Sequence, residues 1–273
     1  MEHRVHGCPS GDIHYWIGGA GSGDRAPVVF THGATADHGL FDAQVAHFRT
    51  TRRVVVWDVP KHGLSRPFDG FSLAGAAREL LQILETVGIE RAHHVGQSMG
   101  GYVCQFLARA HPERVASLTV AGSSTLNPPY YSAHARWLLS ITPALLKLYP
   151  HRRLVRRIAE QVAVTPEARA YVWETTGRST RAEIADIMRA VYAAVLDYRR
   201  TEPLDVPLLI THGSEERTGR VATYSARWAA EEGRPLAVIP DAAHNCNADN
   251  PAAFNRRVEA FFSEHERVNG VDE

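Results

Sequence analysis

A serine flanked by glycines is the feature of this 273-residue chain that points most directly to chemistry. Residues 96–100 read Gly-Gln-Ser-Met-Gly, a G-x-S-x-G pattern between a β-branched apolar run and a helical pattern. A serine on such a sharp strand-to-helix turn takes strained backbone angles, so Gly96 and Gly100 are required as small neighbours. The turn presents the Ser98 hydroxyl at the positive end of the next helix. The pattern therefore predicts that Ser98 is a nucleophile.

A nucleophilic serine needs a base that accepts its proton, and position selects one of the 15 histidines. His244 follows the last apolar run, Leu236–Ile239, and precedes a helix that begins near Pro251. This order places His244 on a loop at the carboxyl edge of the predicted sheet, on the same side as Ser98. We therefore predict that His244 is the base.

The base in turn needs a carboxylate that orients it. Two adjacent acids, Glu215 and Glu216, follow the apolar run Leu208–Thr211, whereas the loop after the preceding run contains no acid. Either glutamate gives the chain order Ser, Glu, His that this motif has on an α/β sheet. The residues alone leave both candidates open.

Negative charge on a tetrahedral intermediate needs two backbone donors. The first is the N–H of Met99, the residue after the nucleophile, and the second comes from the loop after the strand Val28–Thr31. That loop reads Thr31-His32-Gly33-Ala34, in which Gly33 lets the backbone approach a substrate. We predict Ala34 and Met99 as the oxyanion-hole donors.

The elements that must position these residues alternate between short apolar runs and longer helical patterns, which predicts a largely parallel sheet with crossover helices. The helical pattern over Leu73–Val87 has Ser72 placed to cap its start and Gly88 to end it. Further helices are expected around 106–110, 222–231 and 252–262. The candidate strands are Ile13–Ile17, Val28–Thr31, Val54–Trp57, His93–Val95, Leu118–Ala121, Leu208–Thr211 and Leu236–Ile239.

The alternation stops between Ser124 and about Pro207, where helical stretches around 135–149, 153–163, 167–175 and 181–195 replace strands. We interpret this segment as a helical insertion over the carboxyl end of the sheet, where open α/β sheets bind ligands. A second independent domain is the alternative. The insertion also contains aromatic residues at helical spacing, a pattern that indicates core packing more often than a pocket lining. These residues are Tyr130, Tyr131, Trp137, Tyr149, Trp173 and Tyr192.

Composition excludes several classes of function. The chain has 30 basic and 30 acidic residues, so no net charge draws it to nucleic acid or to an anionic membrane. No phosphate-binding P-loop can be written around Lys61 or Lys147, the two lysines. Three separated cysteines indicate neither a disulfide scaffold nor a thiolate zinc site. With no signal-peptide pattern and no apolar run long enough to cross a bilayer, we expect a cytoplasmic protein.

The zero net charge is a sum of two opposed parts. Residues 130–200 hold 12 basic and six acidic side chains, so the insertion is basic and the remainder acidic. A solvated helical face is the favoured interpretation of this excess. Attraction of an anionic substrate to the insertion is the alternative.

Taken together, these residues resemble the α/β-hydrolase superfamily, specifically its serine hydrolases with a helical cap inserted after the sixth strand. The resemblance implies a mostly parallel eight-stranded sheet flanked by helices. The core would comprise residues 1–123 and 207–273, and the cap residues 124–206. The matching blocks, in the family's order, are Thr31–Ala34, Val56–Pro67, Val95–Gly101, His111–Val115, His212–Gly219 and Ala243–Asn245.

The resemblance also implies roles at the site. The family carries its acid three residues beyond the glycine that ends the seventh strand, which is Glu216 here, where aspartate is the commoner residue. Because glutamate is one methylene longer, Glu215 stays as an alternative. Ser98, Glu216 and His244 would then form a catalytic triad that needs neither a metal nor an organic cofactor.

The implied activity is hydrolysis by acyl transfer, and a small-molecule carboxylic ester or lactone is the favoured substrate. A thioester, an amide or a carbon–carbon bond next to a ketone are the alternatives with the same triad. A serine rather than an aspartate nucleophile argues against dehalogenase and epoxide-hydrolase chemistry. A ligand receptor that has kept the hydrolase fold is the alternative from another class of protein.

Overall fold

The computed structural model describes residues 1–20 and 25–267 and contains one eight-stranded sheet. The strand order is β1-β2-β4-β3-β5-β6-β7-β8. β1 and β2 are antiparallel to their neighbours, and the strands from β4 to β8 run parallel. The strands are β1 Glu2–Cys8, β2 Gly11–Gly19, β3 Val28–Thr31, β4 Arg53–Trp57, β5 Ala92–Gln97, β6 Val115–Ala121, β7 Leu208–Gly213 and β8 Leu236–Ile239.

Ten α-helices accompany the sheet within the described residues. All the helices expected from the sequence are present, with shifted ends. The helices are α1 Asp42–Phe48, α2 Leu73–Thr86, α3 Met99–Ala110, α4 Ala133–Leu146, α5 His151–Val162, α6 Pro166–Gly177, α7 Arg181–Leu196, α8 Val221–Glu232, α9 Cys246–Asp249 and α10 Pro251–Arg267. None of them is both long and apolar enough to cross a membrane.

Alternation along the central strands divides the core into two layers. Val28 and Val54 point to the face that packs against α1 and α10, whereas Val29 and Val55 point to the face that packs against α2 and α3. Because both faces are covered, β3 is buried at every position and β4 at every position after Arg53, so neither strand has a solvent-exposed polar side. The fold class expected from the sequence, an α/β sheet flanked by helices, is confirmed.

The helix α2 forms as its sequence dictates. The Ser72 side chain accepts a hydrogen bond from the Gly75 N–H at 3.1 Å, which satisfies one of the free donors of the first turn. Gly88 has a φ of 65°, the left-handed conformation that ends a helix. The predicted boundaries of this helix hold to within one residue.

Helices α4 to α7 lie between β6 and β7, and no strand interrupts them. We refer to residues 124–206 as the cap segment. Its helix α4 packs on α7 and α5 packs on α6, and α6 contacts α9, which follows β8. The cap segment therefore lies against loops at the carboxyl ends of the strands.

One core residue supports a prediction about acid stability. His94 on β5 is fully buried, and burial lowers its pKa from 6.5 to about 3. Between these two pH values the unfolded chain binds a proton at His94 and the folded chain does not, so acidification costs stability. As the pH falls through this window, the unfolding free energy of the native protein should decrease relative to that of His94→Leu by up to about 1.4 kcal/mol per pH unit. Urea titrations from pH 7 to pH 4 measure the difference in unfolding free energy between the two proteins. A difference that does not change with pH would contradict the prediction.

Candidate active site

Ser98 stands on the sharp turn between β5 and α3. Its backbone angles are φ 50° and ψ −113°, a conformation that a non-glycine residue adopts only under strain. The Ser98 N–H donates to the Ala121 carbonyl at 2.8 Å, which ties the turn to the end of β6. The side chain is thereby directed away from the sheet and towards the cap segment.

The glycines around Ser98 are required by close backbone approach. A Cβ at Gly96 would lie 2.5 Å from the Gly100 carbonyl, and one at Gly100 would lie 2.0 Å from the Thr31 carbonyl oxygen. These distances are too short for any side chain. The turn can therefore form only with glycine at both positions, as the sequence pattern indicates.

The structure brings the three residues predicted from the sequence into one hydrogen-bonded series. His244 Nε2 lies 2.9 Å from Ser98 Oγ, and His244 Nδ1 lies 2.7 Å from Glu216 Oε2. The Glu216 and His244 side chains are 1% and 7% exposed, so the pair is shielded from water. This arrangement gives one hydroxyl, one imidazole and one carboxylate in the order that proton transfer from the serine requires.

The two candidate acids differ in their surroundings. Burial alone would raise the pKa of the Glu216 carboxyl, but the His244 imidazole and the Thr218 N–H outweigh it and hold that pKa below its usual range. Glu215 instead is 43% exposed and forms an ion pair with Arg217. Of the two glutamates left open by the residues, only Glu216 contacts His244.

The loop after β3 is held by a buried neutral histidine. His32 Nε2 accepts the Val59 N–H at 3.0 Å, so the ring proton is on Nδ1, which donates to the Gly33 carbonyl at 2.8 Å. Burial lowers the pKa of His32, consistent with the neutral form. Because the carbonyl and N–H of one peptide point in opposite directions, fixing the Gly33 oxygen also fixes the Ala34 N–H. The other predicted donor, Met99, opens α3, where the helix offers its N–H no carbonyl.

The cap segment braces this loop from the other side. Asp37, three residues beyond Ala34, accepts a hydrogen bond from Tyr171 Oη at 2.9 Å and forms an ion pair with Arg178 at 2.9 Å. Thr35 Oγ1 lies 2.9 Å from Thr176 Oγ1. All three cap residues lie in α6 or directly after it, so this helix holds the loop that carries Ala34.

The same part of the cap segment also holds the loop of His244. Asp249 accepts hydrogen bonds from the N–H groups of Val164 and Thr165 at 3.0 Å and from the Ala243 N–H at 2.9 Å. The Asn245 N–H donates to the Val162 carbonyl at 2.8 Å. The connection between α5 and α6 is thus fixed to the residues on both sides of His244.

This brace predicts a catalytic effect of a cap residue remote from Ser98. Tyr171→Phe removes the hydroxyl that bonds to Asp37, so the Ala34 N–H loses part of its positioning. We expect kcat to fall about tenfold with KM nearly unchanged, because the donor acts mainly on charge that develops in the transition state. Steady-state kinetics and thermal unfolding check this. A variant that loses stability without any change in kcat would contradict it.

A cavity with two lobes lies above Ser98 and His244, and both residues line both lobes. The first lobe, of about 320 Å³, is mostly aliphatic and reaches the Ala34 loop. We call it the aliphatic lobe; its apolar lining includes Leu146, Ile158, Val162, Val172 and Ile184. The second, of about 360 Å³, we call the tyrosine lobe; its lining includes Tyr102, Tyr131 and Tyr224.

Charge is nearly absent from the described lining. Arg220, in the tyrosine lobe, is the only Arg, Lys, Asp or Glu among the described residues that line either lobe. The basic residues Arg152, Arg153, Arg156 and Arg157 of α5 are exposed and line neither lobe. The excess positive charge of the cap segment therefore lies largely outside the cavity, as expected for a solvated helical face.

The aromatic residues of the cap segment divide between several environments. Tyr131 and Tyr192 line the cavity, whereas Trp137, Tyr149 and Trp173 are exposed. Sequence reasoning favoured core packing for these residues and did not single out the two that face Ser98. It also missed Asp37, Asp249 and Gln97, whose side-chain amide donates to the His244 carbonyl at 3.3 Å and to Asn245 Oδ1 at 3.0 Å.

Comparison with known proteins agrees with this fold. The sequence model of the alpha/beta hydrolase fold matches residues 26–251, so the chain belongs to that family and is a hydrolase. It is 27% identical over 259 residues to the 3-oxoadipate enol-lactonase 1 of Acinetobacter baylyi, which covers 87% of this chain and 89% of that one. It is also 27% identical over 261 residues to the 2-hydroxymuconate semialdehyde hydrolase of Pseudomonas putida, which covers 89% of each.

Solved structures show the same fold. The enol-lactonase from Burkholderia xenovorans LB400 superimposes with a TM-score of 0.79 at 20% identity, covering 95% of this chain and all of that one. The match to the family model confirms the resemblance to this superfamily that the sequence motifs indicated.

Proposed function

We propose that this hydrolase cleaves an uncharged small-molecule carboxylic ester or lactone through an acyl-enzyme on Ser98. The observation that carries the proposal is the hydrogen-bonded series from Glu216 through His244 to Ser98 at the floor of a cavity with almost no charged lining. In this proposal Ser98 is the nucleophile, His244 the general base and acid, and Glu216 the carboxylate that orients the imidazole.

The proposed reaction has two halves. His244 Nε2 accepts the hydroxyl proton as Ser98 Oγ attacks the substrate carbonyl, and the N–H groups of Ala34 and Met99 bind the oxyanion. The same proton then passes to the departing alkoxide, which leaves as an alcohol, and an ester with Ser98 remains. A water molecule repeats the attack with His244 as base and releases the acid, which regenerates Ser98.

The cavity supports an uncharged substrate. A carboxylate taken into the aliphatic lobe would lose its hydration without gaining a cation from the described lining. An alkyl or acyl chain fits this lobe because burying it is favourable and leaves no polar group unpaired. The lobe thus favours an uncharged ester or lactone over a substrate that carries a carboxylate.

The remaining expectations from the sequence also stay proposals. We propose that residues 124–206 act as a cap over a core of 1–123 and 207–273, supported by the cap residues that line both lobes. We propose a reducing, cytoplasmic location, which the free state of Cys8, Cys104 and Cys246 supports.

A substrate panel tests the proposed function. It contains p-nitrophenyl esters, lactones of several ring sizes, thioesters, amides, β-diketones and ring-cleavage products. We expect the highest kcat/KM with an uncharged ester or lactone, and labelling of Ser98 by an organophosphonate that reacts with activated serines. A folded protein that binds ligands but turns over nothing on the panel would instead support the receptor alternative. Preferred cleavage of a β-diketone or ring-cleavage product would assign carbon–carbon bond hydrolysis.

A further inference from the structure

The tyrosine lobe contains a chain of hydroxyl groups that begins one helical turn after Ser98. Tyr102 Oη lies 2.9 Å from Ser124 Oγ, and Ser124 Oγ lies 2.8 Å from Tyr131 Oη. Tyr131 Oη in turn lies 2.5 Å from the Thr125 carbonyl oxygen. The chain therefore runs from the cavity wall to a backbone acceptor.

The end of the chain fixes the direction of every proton in it. A carbonyl oxygen only accepts, so the Tyr131 hydroxyl must donate to Thr125. Tyr131 has then used its one proton, so it accepts from Ser124. The Ser124 hydroxyl has likewise donated its one proton, to Tyr131, so it accepts a hydrogen bond from the Tyr102 hydroxyl. Tyr102 Oη is left with no free proton and, beside the Ser124 N–H that also contacts it, with a lone pair for one further donor.

The position of Tyr102 places this acceptor oxygen where a ligand in the lobe can donate to it. Tyr102 is only partly buried, whereas Ser124 and Tyr131 are buried, and all three line the lobe that Ser98 and His244 also line. Burial raises the pKa of the Tyr102 hydroxyl, so the phenol stays neutral and the chain keeps its direction at physiological pH. A group with an N–H or O–H in the lobe can bind this oxygen, and an ether or carbonyl oxygen cannot.

We propose that Tyr102 is a specificity-determining residue whose Oη accepts a hydrogen bond from the substrate. Resting on the proposed function, this narrows the substrates to esters or lactones that carry an amide N–H or a hydroxyl near the reacting carbonyl. The remaining part of such a substrate, an alkyl or acyl chain, occupies the aliphatic lobe. The mechanism at Ser98 does not depend on this contact.

Binding to Ser98→Ala tests the inference without requiring turnover. Two matched pairs place the donor on either side of the ester: ethyl N-acetylglycinate against ethyl N-acetylsarcosinate, and 2-acetamidoethyl acetate against its N-methyl analogue. Calorimetry should give a Kd about tenfold lower for the N–H member of at least one pair, the usual effect of one hydrogen bond in a desolvated site. The added Tyr102→Phe substitution should reduce that ratio to about one, because the acceptor is gone.

Two further variants separate this contact from general damage to the lobe. Tyr224→Phe removes a hydroxyl of the same lobe that lies outside the chain, so the ratio should persist. Ser124→Ala releases the Tyr102 proton, so ethyl methoxyacetate should gain about fivefold in affinity relative to ethyl butanoate.

Equal affinities within both pairs, or a ratio that survives Tyr102→Phe, would overturn the inference. So would undetectable binding of every N–H ligand. Failure of the proposed function is distinguished by its own result, the absence of turnover and of phosphonate labelling in the native enzyme.

Discussion

Replacing Ser98 with Ala should lower kcat for ester hydrolysis by about ten-thousand-fold or more, because the other groups act as a unit with the nucleophile. His244 then has no hydroxyl to deprotonate, and Ala34 and Met99 have no tetrahedral oxyanion to bind. The substitution removes one oxygen and keeps the Cβ, so the turn at φ 50° is as strained as before and the fold should persist. Initial rates with a p-nitrophenyl ester and thermal unfolding measure the two effects.

A matched serine provides the control for this experiment. Ser140 lies on α4, where its exposed side chain donates to the Trp137 carbonyl at 2.7 Å. Ser140→Ala should retain native kcat and phosphonate labelling, whereas Ser98→Ala should lose both. If Ser98→Ala kept more than about one per cent of native kcat, acyl transfer to Ser98 would be refuted.

Replacing Glu216 with Gln should lower kcat by about a thousand-fold or more, and the structure explains why the amide cannot substitute. The Thr218 N–H donates to Glu216 Oε1 at 2.7 Å, so the oxygen of a glutamine is retained at that position. Its NH2 group then faces His244 Nδ1 and requires that nitrogen to be an acceptor. The imidazole proton moves to Nε2, and the ring can no longer accept the proton of Ser98.

Glu215 provides the control, because it has the same carboxylate side chain as Glu216 and differs only in its position. Glu215 is exposed and paired with Arg217, so Glu215→Gln should leave kcat within about twofold of the native value. Both variants are compared by kcat and by urea unfolding. An equal loss in the two variants would show that the carboxylate contact with His244 is not what drives the reaction.

Much of this molecule could be predicted from local pattern. The strained turn at Ser98 needs glycines at fixed spacing, and α2 needs a cap and a terminator, so each leaves a signature within a few residues. The strand β1 left none, because it pairs only with β2 at the edge of the sheet and is largely exposed. Without a buried face it has no alternation of apolar residues, and seven strands rather than eight were evident.

Contacts between distant residues could not be predicted from the sequence. Asp37 meets Tyr171 and Arg178 at separations of 134 and 141 residues, and nothing local in either stretch indicates the pairing. Local pattern likewise did not decide between Glu215 and Glu216, because the choice depends on which way the loop after β7 turns. Only the family resemblance favoured Glu216. The structure shows that Glu216 is the carboxylate that contacts His244.

The attachment of α6 to the Ala34 loop and of the α5–α6 connection to the His244 loop bears on how hydrolases of this fold could exchange caps by recombination. A foreign cap spliced in place of residues 124–206 would have to supply new partners for Asp37 and Asp249, two carboxylates that belong to the recipient core. Asp37 would lose its cap hydroxyl and guanidinium, and Asp249 would lose two N–H donors. Successful chimeras should therefore carry the loops of Ala34 and His244 together with the cap, as one inherited unit.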